Sequence, residues 1–539
     1  MPADSLRALA ERIHVPLYHV QGVATFFPHF HLTKPPAVDV QVCDDMSCHL
    51  RGGDALHRTI ESRVAAAGQT GVVVRGVSCL GQCDSAPAAA VNHAILSGLT
   101  PDSLAAHVDN ALAGGALPEP EISTQRGGLA VDPYDGERTY QALRDLVATG
   151  NVADLIAAVK ASGLRGLGGA GFPTGTKWDA VRHAPGDVKY VVCNADESEP
   201  ATIKDRFLMD RVPHLVLEGM ILAGIAVGAR TGIIYIRHEY EAQIGSIRRE
   251  LERCAHDGLV GPDVLGSGIA FDLSVFVSPG GYICGEETAL FEAIQGNRAE
   301  PRNKPPYSAT HGLWQKPTVI NNVETFAMVP LIARRGPERF RAQGRGDSPG
   351  VKFVGISGHV ASPGVYEIAM GTPVREVLDR AGGVLGGRPL KAFAASGPSS
   401  GYLPASMIDT PLDFRSLEAA GSMLGSGAIV ICAEGTCMVD MALNAVRFYR
   451  NESCGKCVPC RVGTVKMVDI LAGIAAGRGR REDLETIRDL SHAMAETSIC
   501  GLGQIAPAPV LSVIKHFPEE IEAHLVRRRC PSGVCRIEG

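Results

Sequence analysis

The chain has 539 residues, of which 45% are hydrophobic and 20% charged, and its formal net charge is −6. That length predicts three or four domains with sizeable cores, and the mild acidity spread along it argues against nucleic acid as a partner. The longest apolar run, LVLEGMILAGIAVGA near 215–229, is too short to span a bilayer and is interrupted by Glu218.

The N-terminus, MPADSLRALAERIHV, lacks the basic-then-apolar pattern of a secretory signal, so the chain is expected in the cytosol. There, fifteen cysteines in clusters point to metal binding more than to disulfides. SLRALAERIHVPLYHVQGVATFF reads as helical, AVDVQVCDD (37–45) alternates like a strand, and residues 71–96 read as strand, loop, strand. Cys43 and Cys48 form a C-x4-C pair, and Cys79 and Cys83 a C-x3-C pair, each falling just after a strand-like run. Four thiolates on such loops suit an iron–sulfur cluster, and the small residues from Cys79 to Pro87 let backbone N–H groups approach the sulfurs. Zinc knuckles favour C-x2-C pairs, which neither half supplies. The segment 118–137, rich in Pro, Gly and polar residues, reads as a linker.

GLRGLGGAGFPTGTKW (163–178) is dense in glycine, with Arg165 and Lys177 its only charges. Its G-x-G-x-x-G follows a helical pattern, NVADLIAAVKASG, where the dinucleotide fingerprint needs a strand. A nest of backbone N–H groups with Lys177 nearby suits a nucleotide phosphate. A flexible linker is the alternative, but Phe172, Pro173 and Trp178 are unusual in one. Beyond it, DVKYVVCNA (187–195), RTGIIYIRHEY (230–240) and IAFDLSVFVSPG (269–280) alternate with helical stretches, which predicts an α/β domain with a mainly parallel sheet. NADESEP (194–200) and GGYICGEE then fall at the carboxyl ends of strands, where such sheets bind ligands. Cys193 and Cys284 beside them read as small packing residues.

Residues 350–383 are β-rich with one short helix and read as a spacer and docking module. From GAIVIC (427–432) onward the chain is expected to be helical, with MVDMALNAVRFYR and VKMVDILAGIAAG packing as a bundle. Cys454, Cys457 and Cys460 form C-x2-C-x2-C, and Cys500 follows in SICGLGQ (498–504). Three close thiolates and a remote fourth fit a [4Fe–4S] cubane better than zinc, which more often takes two separated pairs. Cys530 and Cys535, in RRRCPSGVCRIEG, are left over and read as a free, frayed tail.

The glycine loop, NADESEP, GGYICGEETAL (280–290) and INNVET (320–325) together resemble the NADH- and FMN-binding subunit of respiratory complex I. They equally resemble the diaphorase subunits of NAD-dependent hydrogenases and of molybdenum- or tungsten-dependent formate dehydrogenases. The likeness runs from about residue 130 to about 525. It implies a multidomain α/β chain with a Rossmann-like FMN and NADH domain at 126–335, a β-grasp-like domain at 336–425, and a helical bundle with a [4Fe–4S] cluster at 426–539. Separately, the C-x4-C and C-x3-C pairs resemble the thioredoxin-like [2Fe–2S] ferredoxin found as a small partner subunit in the same family, which implies such a domain at 1–125. By resemblance, FMN is held by Gly166, Gly168, Gly169, Lys177, Asn194, Asp196, Glu197, Gly285, Glu286, Asn321 and Asn322. NADH would meet Phe172, Glu199, Tyr282, Glu287, Lys304 and Tyr307. The two cysteine quartets would hold the clusters.

The family's chemistry needs no general base, since hydride passes directly between nicotinamide and flavin. Relatives usually have arginine at Leu167, often Phe at Tyr307, and often an aromatic residue at Ala180. Leu167, GYLPASMIDTPLDF (401–414) and SICGLGQ are most similar to the formate dehydrogenase branch. That branch implies a partner bearing molybdenum or tungsten with its own iron–sulfur clusters, and possibly a small [2Fe–2S] subunit. A hydrogenase or complex I subunit is the alternative, and a scaffold with a decayed flavin site is a third reading.

Overall fold

The computed structural model describes residues 3–119, 128–134 and 138–538. Val38, Val40 and Val42 occupy alternate positions and are fully buried, so the first strand lies at the centre of its sheet. That strand, β1 (Val38–Cys43), pairs in parallel with β2 (Val72–Val77) and antiparallel with β3 (Ala88–Val91), which pairs with β4 (Ala94–Ser97). The resulting order is β2-β1-β3-β4. The helical opening is two helices, Ala3–Arg12 and Leu17–Phe26, separated at Pro16.

The second sheet is wholly parallel, in the order β7-β6-β5-β8: Asp272–Ser278, Thr231–Arg237, Tyr190–Ala195 and Thr318–Asn322. The chain lays down β5, β6 and β7 in one direction, then returns to place β8 on the other side of β5. The carboxyl ends of β5 and β8 therefore flank a switch point, where open α/β sheets form ligand crevices. The helix Pro213–Val227, the most apolar in sequence, is buried on every side. The charge that interrupts it is satisfied inside the core: Glu218 accepts from the Tyr134 hydroxyl at 2.6 Å and from the Leu143 N–H at 3.0 Å. Burial pushes the Glu218 carboxyl up to about 7.

Tyr134 belongs to the stretch that reads as a linker. Residues 120–127 and 135–137 of that stretch lie outside the described residues. Of the rest, Val131 and Tyr134 are buried in the core, and the N–H groups of Ala130 and Val131 each donate to Glu367 at 2.8 Å. The apolar and aromatic residues within the polar stretch anchor it.

The third sheet has the order β10-β9-β13-β11-β12: Gly364–Ala369, Val351–Gly358, Ala428–Ala433, Leu390–Ala394 and Leu403–Pro404. Its central strand β13 is GAIVIC, where the sequence predicts the helical region to begin. The sheet thus continues to Ala433, beyond the expected boundary at 425, because β13 pairs in parallel with β9. An all-apolar run of this length suits a strand buried on both faces, and every residue of β13 is buried. The helical bundle starts at Met438, with Met438–Glu452, Val458–Ala475 and Glu482–Thr497 as its long members. The tail expected to fray is packed: Cys530 is buried, and the Glu538 N–H donates to the Ala476 carbonyl at 3.0 Å. Its cysteines gather with nearby His524 and with the distant Cys437, as described below.

A buried ionic network joins the second and third sheets. Glu324, just after β8, accepts from Lys352 of β9 at 2.5 Å and pairs with Lys204 at 3.0 Å, while Lys204 also reaches Asp205 at 2.6 Å. Burial drags the Lys352 amine down to about 8 against the pull of Glu324. Lys204, although buried, is held above its ordinary value by Asp205 and Glu324.

Two outcomes follow. Glu324→Ala leaves two buried ammonium groups with only Asp205 and Glu197 to balance them, and a stability loss of about 3–5 kcal/mol is expected in denaturant unfolding. Glu218 has a folded pKa raised above its unfolded value, so its contribution is fully present below about pH 4.5 and is lost as pH rises through about 7. Glu218→Gln should therefore remove a falling stability slope between pH 5 and 7.5, measured by unfolding at several pH values.

Candidate functional site

The glycine loop lies between the helices Val152–Ser162 and Thr174–His183. It folds back on itself: the Gly166 N–H donates to Phe172 O at 2.8 Å, Thr174 N–H to Leu164 O at 3.0 Å, and Arg165 Nε to Gly171 O at 2.5 Å. Arg165 also lies 4.4 Å over the Phe414 ring. Gly171 has φ +64°, and a Cβ there would sit 2.6 Å from that ring. At Gly168 a Cβ would lie 2.8 Å from Asn322 Cβ, so the loop is pressed against the end of β8. Leu167 is buried, and its N–H donates to Thr325 Oγ1 at 2.9 Å.

Between this loop and the strand ends lies a cavity of about 310 Å³. Gly168, Gly169, Asn194, Asp196, Glu197, Glu199, Tyr282, Gly285, Glu286 and Asn322 all line it. Ten residues singled out in the sequence, from four separate motifs, thus converge on one space at the switch point. Asn194 holds the crevice together, donating to Gly285 O at 2.8 Å and accepting from Asp196 N–H at 3.2 Å. Asp196 Oδ1 is buried with no hydrogen-bond partner, and burial pushes this carboxyl up to about 8. An unpartnered polar atom on a glycine-lined wall fits a polar ligand such as FMN, whose ribityl hydroxyls would meet it.

Other carboxylates on the wall are occupied by protein groups. Glu197 accepts from Asp205 N–H at 2.7 Å, Arg206 N–H at 3.0 Å and the Tyr240 hydroxyl at 2.9 Å, and so caps the helix Lys204–Arg211. Burial, with Asp205 nearby, raises it to about 7. Glu199 accepts from Ser399 N–H at 3.0 Å and the Tyr282 hydroxyl at 2.6 Å. Glu286 caps the helix Glu287–Ile294 through the N–H groups of Thr288 and Ala289, both at 2.9 Å.

Gly166, Lys177 and Asn321 stand behind the cavity wall. Lys177 is buried and donates to the Ile320 carbonyl at 2.9 Å, and burial lowers its pKa against the attraction of Glu287. Asn321 Oδ1 accepts from Trp178 Nε1 at 3.0 Å. Phe172, Glu287, Lys304 and Tyr307 lie outside the lining. Phe172 is 52% and Tyr307 60% exposed, and Lys304 pairs with Glu287 at 2.7 Å and Glu286 at 3.0 Å. Lys204, Ser396, Ser426, Gly501 and Leu502 also line the cavity, although no sequence motif assigns them to a ligand. Gly501 and Leu502 carry a signal, since they directly follow Cys500.

The second cysteine quartet adjoins that wall. Cys457 and Cys500 each sit at a helix N-terminus, of Val458–Ala475 and Gly501–Ile505. Ser453 Oγ lies 3.2 Å from Cys460 Sγ, and a Cβ at Gly503 would come within 2.9 Å of Cys460 Cβ. Gly503 therefore lets the remote arm approach the C-x2-C-x2-C arm. In the first quartet, Cys43, Cys48, Cys79 and Cys83 are all buried, and Cys79 and Cys83 bring their sulfurs within 3.3 Å. Among the described residues, neither quartet brings three ligand atoms within 4.8 Å of one another.

Arg237, at the end of β6, links the two regions. Its guanidinium donates to Cys79 O and to Glu197 O, both at 2.7 Å. Arg206 clasps the same cysteine loop through Gly81 O at 2.6 Å and Asp84 at 2.7 Å. A second, larger cavity of about 610 Å³ lies between the Cys79 and Cys454 loops, with His29, His93 and His238 on its walls.

Fold and site together define an iron–sulfur flavoprotein of the electron-transfer class. The Nuo51 FMN-binding domain family matches residues 159–331, and the NADH-ubiquinone oxidoreductase-F iron-sulfur binding region matches 440–524. The thioredoxin-like [2Fe-2S] ferredoxin family matches 1–112, and the SLBB domain 353–401. An NADH-quinone oxidoreductase subunit of Rhizobium meliloti (strain 1021) is 44% identical over 75% of this chain and 96% of its own length. The NADP-reducing hydrogenase subunit HndC of Solidesulfovibrio fructosivorans is 42% identical over 77% of this chain and 85% of its own. A crystal structure of NAD+-reducing [NiFe]-hydrogenase in the H2-reduced state contains a chain with a TM-score of 0.87 and 33% identity, covering 97% of this chain and 91% of that one. The chain belongs to the family of NADH-binding FMN subunits that serve complex I and NAD-reducing hydrogenases. Its cofactor set is accordingly FMN, a [4Fe–4S] cluster and a [2Fe–2S] cluster, with NADH as the family's dinucleotide.

Gly168→Val would force the loop off Asn322, with about 1–3 kcal/mol of strain. The expected result is FMN retention weakened ~5- to 150-fold, with iron content unchanged, read by flavin absorbance and metal analysis of the same preparation.

Proposed function

We propose that this chain is the NAD(H)-reacting subunit of a cytosolic NAD-dependent formate dehydrogenase. The observation that carries the electron-transfer role is the cavity itself, whose wall runs from the glycine loop to Gly501 and Leu502 beside Cys500. FMN supplies a centre that exchanges a hydride with NAD(H) on one side and single electrons with iron–sulfur clusters on the other.

The chain's residues divide that work. Gly168 and Gly169 bring backbone N–H groups to the phosphate, Gly166 closes the loop behind them through its bond to Phe172 O, and Lys177 adds positive charge from behind the loop. Asp196 offers its unpartnered oxygen to the ligand, while Asn194, Glu197, Glu286 and Asn321 fix the walls by the bonds described above, and Asn322 does so by accepting from Lys204 and donating to Asp205. Phe172 and Tyr307, exposed at the rim, give the dinucleotide two aromatic faces, and Lys304, held by Glu286 and Glu287, is placed for its phosphates. Tyr282 and Glu199 close the side toward the clusters. Cys454, Cys457, Cys460 and Cys500 hold the [4Fe–4S] cluster, and Cys43, Cys48, Cys79 and Cys83 the [2Fe–2S] cluster.

The formate assignment rests on Leu167, the segment 401–414 and SICGLGQ, and it implies a molybdenum- or tungsten-bearing partner that carries out formate oxidation. A hydrogenase partner is the second reading. What supports it is the structural match of the hydrogenase chain along 97% of this one, a span that takes in the fused N-terminal domain.

The isolated chain is expected to reduce an artificial dye with NADH and to leave formate untouched. Formate-dependent NAD+ reduction should appear only with the metal-bearing partner, and hydrogen-dependent reduction would instead establish the second reading. In the assembled complex, Cys457→Ala should depress the coupled reaction more than NADH–dye reduction, compared at equal FMN occupancy. Equal loss of both would contradict the proposed route.

A further inference from the structure

Cys437 lies 87 residues before His524, which is followed closely by Cys530 and Cys535, yet the ligand atoms of all four lie within 4.8 Å of one another. Among the described residues, no other group of three or more metal-ligating side chains is this tight. We propose that these four side chains form a structural zinc site of the Cys3His type, distinct from both iron–sulfur quartets.

The distances support a single ion. With Zn–S near 2.3 Å and Zn–N near 2.0–2.1 Å, tetrahedral geometry puts two sulfurs about 3.8 Å apart and a sulfur and nitrogen about 3.6 Å apart. Cys437 Sγ lies 3.6 Å from Cys535 Sγ and 3.6 Å from His524 Nε2. A disulfide would join only two of the four and strand a buried thiol beside a buried imidazole.

The surroundings complete the site. His524 Nδ1 is 2.7 Å from the Glu520 carbonyl; donating there fixes the tautomer that turns the Nε2 lone pair toward the cysteines. Cys530 Sγ accepts from the Cys535 N–H at 3.5 Å. Cys437 caps the helix Met438–Glu452, whose N-terminal dipole favours a thiolate. The Glu520 carboxylate accepts from Met438 N–H at 3.0 Å and pairs with Lys391 at 2.6 Å, bracing the same corner. Cys437, His524 and Cys530 are buried, so the fourth position is taken by protein and the site is closed. On binding, three thiol protons leave to solvent, and the neutral imidazole contributes its lone pair.

Such a site ties the tail and the helix Pro518–Leu525 to the start of Met438–Glu452. The other end of that helix runs directly into Cys454.

The test is metal analysis of the purified full-length protein in its complex, with zinc K-edge absorption spectroscopy. About one zinc per chain with three sulfur and one nitrogen neighbour is expected. Cys535→Ser, at the more exposed ligand, should lose that zinc and lower the thermal midpoint, while FMN and iron contents stay at the wild-type level. Wild-type protein without zinc, zinc lacking sulfur neighbours, or zinc content unchanged in both Cys535→Ser and Cys530→Ser would overturn the assignment. If the variants fail to fold, the wild-type spectrum decides alone.

Discussion

Glu324 has no contact with water, and its two oxygens serve three partners from two distant parts of the chain. One accepts from the Phe353 N–H at 2.7 Å, and the other meets both Lys352 and Lys204. The glycine-loop side of the cavity is referenced to this carboxylate. Lys204 reaches on to Asn322 Oδ1 at 3.1 Å, and Asn322 Nδ2 donates to Asp205 at 2.6 Å. Asn322 in turn is the side chain on which Gly168 rests. A buried charge set of this kind tolerates few arrangements, because any shift leaves an ammonium or carboxylate without compensation. The third sheet thereby acts as a fixed back wall for the crevice, which is more than a spacer would do.

The alternating and all-apolar strands of the first two sheets are legible because period and burial agree, as in Val38–Cys43 and in the parallel core strands. The converging motifs are also legible: NADESEP and GGYICGEE follow strands and carry paired acids, and the loop at 163–178 stands out by its glycines. The direction of the side chains is not. Glu197 and Glu286 carry the residue type of a ligand, but their oxygens cap helices, and a sequence does not distinguish a carboxylate that caps from one that binds. GAIVIC reads as part of the helical region because a short apolar run lacks a period of its own; its pairing with β9 depends on a strand about 75 residues earlier. Cys530 and Cys535 are illegible for the same reason. Their partner Cys437 lies outside any local spacing pattern, so only the fold brings the set together.

Glu452 illustrates how closely the domains are joined. Its carboxylate accepts from Ser78 beside the first quartet and, at 2.8 Å, from the Tyr282 N–H on the flavin domain, and it is the last residue of its bundle helix. Asn444, on the same helix, accepts from Met46 N–H at 2.9 Å and donates to Asp44 O at 2.7 Å. With Arg237, these contacts make the position of each cysteine loop a property of the whole chain. Small reorganisation between redox partners is the expected benefit of such rigidity.

The buried helix Pro213–Val227 has a further bearing on how the protein is made. Its Gly219 packs so tightly that a Cβ there would meet the Phe326 carbonyl oxygen, so its cover includes the helix Val323–Arg335. During synthesis that cover emerges about 110 residues later, which at ~5–20 residues per second leaves the most apolar segment waiting on the order of 5–20 s. Over the same interval β8 does not yet exist, and neither does the crevice beside it. The nascent chain therefore passes through a stage that is sticky and unable to take up flavin, and chaperone capacity and growth temperature should govern its yield more than flavin supply does.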